Sequence, residues 1–181
     1  MGVKALEGFN SAGNYPRRAV ALTTAVNFSE MKTSCNPVET LVAFSIGSGI
    51  GVSIYDPVSV IGGVLNFILP ESSNLNAAKR EKYPFMFADT GIPAFLKALI
   101  DLGAELARMK VVIAGGAQIL DQTGTFNIGR QNYEAAKSII GAYRLCIHYE
   151  DIGGIHFRTL RLEMSSGKSF INLPDQGETN I

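Results

Sequence analysis

Short apolar runs broken by glycines and polar turns make up most of the chain, and only two stretches place apolar residues at helical spacing. A first run near Ala19 to Val26 predicts a strand, and "SEMKTSCNP" (Ser29 to Pro37) reads as an irregular connector. Leu41 to Ile46 and Ile50 to Tyr55 predict two strands joined by the turn Gly47-Ser48-Gly49, with Asp56-Pro57 ending the second. "VIGGVLNFILP" (Val60 to Pro70) is apolar on both faces, as an interior strand is. In its alternation Asn66 shares a face with Val64 and Ile68, while Leu65, Phe67 and Leu69 take the other.

Glu71 to Pro84 predicts the longest polar loop, a place for partner contacts, and its Lys79-Arg80-Glu81-Lys82 run reads as a solvated face. Asp89 or Thr90 can cap a helix running to about Met109, with Ile92, Phe95, Leu96, Leu99, Leu102 and Leu106 as its apolar stripe. Lys110 to Leu120 predicts a buried strand opening into glycines. The polar loop "DQTGTFNIGRQN" then leads to a second helix near Gln131 to Ile140. Arg144 to Tyr149 predicts a strand, "DIGG" (Asp151 to Gly154) a turn, and Ile155 to Leu173 a hairpin folded over "SSGK". Each helix has one apolar stripe and should cover a sheet face from outside, which makes a mixed α/β layered domain. Residues 1–16 are expected as a flexible N-terminal segment, 17–173 as one domain and 174–181 as a polar tail.

The length of 181 residues suits one domain with a substantial core, and 46% apolar against 18% charged residues exclude a disordered chain. Sixteen basic residues balance sixteen acidic ones, which leaves no footprint for nucleic acid or an anionic membrane. No apolar stretch is long enough for membrane insertion. Cys35 and Cys146 stand far apart with no metal-type spacing, so the expectation is a reduced, cytoplasmic protein without a metal.

Candidate chemistry is thin. "GSGIG" (Gly47 to Gly51) lacks the helix that a dinucleotide site requires, because "VSIYD" follows as strand. "AGGA" (Ala114 to Ala117) meets no P-loop lysine and reads as a tight strand exit, so no cofactor is expected. His148 and His156 flank the Asp151 turn without further ligands and read as surface or turn histidines. Cys146 falls in apolar alternation and reads as a small buried hydrophobe. Cys35 has no histidine near it in sequence to activate it.

Four segments in order, "IGSGIGVSIYDP", "GGVLNFILP" (Gly62 to Pro70), "IAGGAQIL" (Ile113 to Leu120) and "DIGGIHFR" (Asp151 to Arg158), resemble the CheD family of bacterial chemotaxis proteins. "FADTGIPAFLKALIDLGA" (Phe87 to Ala104) and "IGRQN" (Ile128 to Asn132) fit its helix and loop segments, and the resemblance spans about Thr40 to Gly167. It implies an α/β/β/α layered sandwich and deamidation of chemoreceptor glutamines by a cysteine nucleophile, a histidine base and a supporting threonine. It also implies two partners, chemoreceptor cytoplasmic helices and a CheC-like phosphatase. A pocket framework of Gly47, Ser48, Gly62, Gly63, Gly115, Gly116, Asp151 and Arg158 follows from the shared segments.

The catalytic positions of that family are emptied in this chain. The cysteine's place holds Gly49, the histidine's holds Asn66 and the threonine's holds Ala43. Deamidation needs a nucleophile for the amide carbon and an acid for the departing ammonia, and loss of nucleophile or base alone costs about 10⁶ in rate in a hydrolytic site. Ser48 adjoins the lost cysteine and Ser45 is expected on Ala43's strand face, yet neither has an activating group. The reading is a catalytically inactive, CheD-like binding or regulatory module. The alternatives are a hydrolase with a relocated nucleophile, for which Cys35 is the available thiol, and a structural protein that kept only the fold.

Overall fold

The structure, a computed structural model, describes residues 22–73, 75–119, 125–174 and 176–181. Two five-stranded sheets are built from β1 (Leu22–Ala25), β2 (Glu30–Ser34), β3 (Glu39–Ile46), β4 (Ile50–Asp56), β5 (Ile61–Phe67), β6 (Lys110–Gly115), β7 (Ile147–Ile152), β8 (Arg158–Glu163), β9 (Lys168–Leu173) and β10 (Gly177–Asn180). The first sheet runs β1-β3-β8-β9-β10 and the second β2-β5-β4-β6-β7. Each is mixed through one parallel edge pair, β1 with β3 and β6 with β7. Three helices are described: α1 (Ala77–Lys82), α2 (Ala88–Asp101) and α3 (Ile128–Ala142).

Two apolar clusters hold these layers. Leu41, Ile46 and Leu160 of the first sheet meet Val64 and Val112 of the second in one of them. Leu65 and Phe67 point the other way, toward Ile92, Phe95 and Leu99 of α2 and Ile140 of α3. Strand β5 is therefore covered on both sides, which is why its sequence lacks a polar face. The expected layered α/β sandwich with mixed sheets is what forms; of the α/β/β/α order, the described residues show α2 and α3 together over the outer face of the second sheet, and neither lies on the first. No described helix is long and apolar enough to cross a membrane.

Several elements differ from the sequence expectation. The "EMKTS" part of the supposed connector is β2, an edge strand paired antiparallel to β5. Helix α2 stops at Asp101, where Gly103 takes a φ of +109° that side chains resist, and Leu106–Arg108 form a separate 3₁₀ turn. No side chain caps α2; Asp89 instead accepts hydrogen bonds from the Ser72 N–H and hydroxyl, both at 2.9 Å, tying the preceding loop to the first turn. Helix α3 begins at Ile128 and β7 spans Ile147–Ile152, each displaced by about a turn's length from the expected limits. The Lys79–Lys82 run lies in α1 rather than in a loop. Inside the segment expected as a polar tail, Gly177–Asn180 pair with β9. Residues 1–16, and the start of the expected first strand, lie outside the described residues.

Candidate functional site

The turn Gly47-Ser48-Gly49 carries the chain from the end of β3 in the first sheet to the start of β4 in the second. All three of its carbonyls are held. The Ala117 N–H donates to Gly47 at 2.9 Å and the Gly116 N–H to Gly49 at 2.8 Å. The Asn132 side-chain amide, from α3, donates to the Ser48 carbonyl at 2.8 Å and to the Ile68 carbonyl at 2.9 Å. "AGGA" is thus the partner of the glycine turn. Gly115 sits at φ +129°, and a Cβ there would come within 2.3 Å of the Gly49 oxygen, so this approach requires glycine.

A cleft of about 520 Å³ opens beside the turn, at the end of the sandwich. Gly47, Ser48, Gly49 and Asn66 line it together with Phe28, Phe126 and Phe157. None of its described lining residues is titratable. Phe28 and Phe126 each stand alone in a polar turn or loop segment, so no periodicity marked them beforehand; Phe157 fell in the hairpin expected over Ile155 to Leu173 but precedes β8. Asn132 was visible only as part of "IGRQN"; its clamp on two carbonyls carries no local sequence signal.

The three positions that the resemblance assigns to catalysis fall unevenly. Asn66 faces the space between the sheets, as its alternation with Val64 requires, and is 1% exposed. Neither its Nδ2 nor its Oδ1 has a hydrogen-bond partner. A Cβ added at Gly49 would lie 2.5 Å from the Phe67 carbonyl oxygen, a separation that real side chains do not tolerate. Ala43 is fully buried in the inter-sheet core and does not line the cleft. Ser45 does not share its face: the ladder to β8 slips between Ala43 and Ile46, and Ser45 turns outward at φ +54° to line the cleft.

Asp151 and Arg158 brace the wall that bears Phe157. The buried Arg158 guanidinium pairs with Asp151 at 2.9 Å and donates to the Gly153 and His156 carbonyls at 2.5 and 2.8 Å. The Gly153 N–H donates to Gly115 and the Gln118 N–H to Gly154, both at 2.9 Å, which joins this wall to the glycine exit of β6. Gly62 and Gly63 are elsewhere: they let Tyr55, Leu162 and Phe95 pack onto β5 and do not line the cleft.

Cys35 follows β2 at the end remote from the cleft. Ser34 pairs with Gly62 and Glu30 with Asn66, so Ser34 lies roughly 13 Å along the ladder from Asn66 and Cys35 lies beyond it. Cys146 is exposed, because it precedes β7 rather than lying within a strand. His148 is also exposed, and its Nδ1 accepts the Val111 N–H at 3.2 Å. Among the described residues no three His, Cys, Asp or Glu side chains gather as a metal group would need.

The family model for CheD chemotactic sensory transduction matches residues 68–173, and its match begins just after Asn66. The chain is 44% identical over 146 residues to a probable chemoreceptor glutamine deamidase CheD 1 of Syntrophus aciditrophicus, covering 81% of this chain and 91% of that one. It is 37% identical over 146 residues to a probable chemoreceptor glutamine deamidase CheD of Solibacter usitatus, covering 81% and 86%. The corresponding protein of Symbiobacterium thermophilum is 36% identical over 160 residues, covering 87% and 96%.

Proposed function

The chain belongs to the CheD family of chemotaxis proteins, and we propose that it is a member that binds chemoreceptor cytoplasmic helices without deamidating them. The observation that carries this reading is the approach at Gly49. At the position where the resemblance places the family's nucleophile, a Cβ would lie 2.5 Å from the Phe67 carbonyl oxygen, so no nucleophilic side chain fits there unless the backbone shifts.

The chemistry around it agrees. Attack on a carboxamide needs an activated nucleophile, and ammonia must leave protonated. The described cleft offers the hydroxyls of Ser45 and Ser48, and no described lining residue can take up their protons. Asn66 does not titrate in the useful range. Cys35 stands on the wrong end of β2 to replace the missing thiol. What is retained is the frame: the pinned turn, the Asn132 clamp and the Arg158-braced wall.

The test mixes a chemoreceptor cytoplasmic fragment with this protein and, in parallel, with the Syntrophus relative. Glutamine peptides are read by mass spectrometry, and binding is read by calorimetry. The expected result is micromolar binding with every glutamine intact, whereas the relative converts glutamine to glutamate. Conversion by this chain overturns its inactivity. Failure to bind overturns the receptor as its partner and leaves a CheC-like protein as the next to try.

A further inference from the structure

One atom of His148 has two partners with opposite demands. Its Nδ1 accepts the Val111 N–H at 3.2 Å and lies 3.0 Å from the Cys146 carbonyl oxygen. The first contact needs a bare lone pair on Nδ1, as in the neutral ring that carries its proton on Nε2. The second is a hydrogen bond only when Nδ1 itself carries a proton, because the carbonyl can only accept. One nitrogen cannot serve both at once, and protonation sets which it serves. We propose that His148 is a proton-operated latch between β6 and β7: the neutral imidazole holds the Val111 N–H, and the imidazolium releases it and donates to the Cys146 carbonyl instead.

The backbone singles out the same spot. β6 and β7 pair in parallel from Val111 and Ile147 to Gly115 and Ile152. The register slips between Val111 and Val112, which sits opposite Tyr149, so His148 is the extra residue. Val111 is 0% exposed, and an N–H released there meets no water, which gives the latch a cost in stability to work with. His148 is exposed, so its proton comes from and returns to solvent.

The charged groups on the neighbouring elements have other partners or stand in solvent. On β7, the Glu150 carboxylate accepts from the Tyr133 hydroxyl of α3 at 3.1 Å, and Lys137 of α3 donates to that hydroxyl at 3.0 Å. Arg130 and Glu134 of α3 pair with each other, and Asp151 pairs with Arg158. Lys110, just before Val111 on β6, and Arg144, in the turn before Cys146, are exposed, as is the Cys146 thiol. Among the described residues the partners of the His148 ring are Val111 and Cys146. The latch lies at one end of two strands whose other ends frame the cleft. There the Gly116 N–H after β6 pins Gly49, and the Gly153 N–H after β7 donates to Gly115. Proton uptake at His148 therefore weakens, at its start, the pairing that carries the cleft wall.

The experiment is NMR on the full chain from about pH 8 to about pH 5, the range over which histidine side chains change charge. The two histidines of the chain are followed separately, through the nitrogen shifts of each ring. At the upper end the His148 ring should be the Nε2–H tautomer. As it protonates, the exchange protection of the Val111 amide, corrected for the intrinsic pH dependence of exchange, should fall about tenfold, the scale of one hydrogen bond. His148→Asn changes an exposed residue and puts an amide, which does not titrate, beside Val111, so protection there should stay level across the range. A neutral ring that carries its proton on Nδ1 overturns the latch, because such a ring never accepts from Val111. A ring that stays neutral throughout overturns it as well, as does a Val111 amide that keeps its protection while the ring titrates. An equal fall in His148→Asn assigns the change to another group and overturns it too.

Discussion

At Gly49 a single hydrogen atom stands where the CheD resemblance places a reacting side chain, and the surrounding packing fills the space. A Cβ there meets the Phe67 carbonyl oxygen at 2.5 Å and Ile68 Cγ2 at 3.3 Å. The oxygen belongs to the last residue of β5, paired with Ile50 of β4, so it cannot swing aside as a flexible side chain would. Gly49→Ala is therefore expected to lower stability by about 1–3 kcal/mol, the cost of overpacking a closed site. Gly141→Ala is the control. Nothing lies within 4 Å of the Cβ position at Gly141 in α3, and alanine there should be neutral or stabilising by up to about 1 kcal/mol. Urea denaturation of both variants decides it. Equal stability of Gly49→Ala and the natural chain would mean that the turn yields freely and that its closed form is no barrier to a side chain.

Between elements, the cleft depends on how α3 is locked to the two sheets. Asn132 is fully buried, and its Nδ2 donates to carbonyls from two different segments, Ser48 in the turn and Ile68 after β5. Asn132→Ala leaves both oxygens without this donor, an expected loss of about 2–3 kcal/mol. It should also speed hydrogen exchange at Gly116, whose N–H reports on the same turn through the Gly49 carbonyl. Unchanged exchange there would show that the β6 exit holds the turn without α3. The apolar elements behind this lock were legible in the sequence: β4, β5, β6 and the buried stripe of α2 follow from period and punctuation alone. β2 and β10 were not, because "EMKTS" and "GETN" have no apolar face and exist through pairing to β5 and β9. The end of α2 was misplaced because Leu102 and Leu106 continue the apolar spacing past Gly103, the residue that stops the helix. The ordered glycine motifs are what singled out Ala43, Gly49 and Asn66. The bulge that turns Ser45 away from Ala43, the carbonyl at Gly49 and the rim phenylalanines depend on contacts between segments far apart in sequence.

Across the whole molecule, the layers are fastened at the end of β4 opposite the cleft by one buried carboxylate. Asp56 is 0% exposed and takes a two-pronged contact from Arg108, with Nε to Oδ1 at 3.0 Å and Nη2 to Oδ2 at 2.7 Å. The Glu105 N–H adds a bond at 3.0 Å to Oδ2 and the Val58 N–H one at 3.0 Å to Oδ1. The second sheet is thereby tied to the segment that follows α2. The Arg108 guanidinium, against the opposing effect of burial and with help from the backbone amides of Glu105 and Val58, holds the Asp56 carboxyl well below the usual carboxylate range. A carboxyl depressed in the folded state binds a proton more readily when unfolded. Its contribution is complete above the unfolded value of about 3.9 and is lost as pH falls through that value toward its own folded one. Asp56→Asn keeps the shape but removes the charge, and should cost about 2–3 kcal/mol at neutral pH. Urea denaturation of both proteins from pH 7 down to the acid limit of the natural chain should show the gap between their stabilities constant near neutrality and narrowing in acid. A gap that stays constant throughout would mean that the ion pair contributes by shape and hydrogen bonding alone. Because the pair lies at the far end of β4 from Gly49, the receptor binding proposed above should survive the substitution at neutral pH, which would separate the fastening of the layers from the proposed recognition.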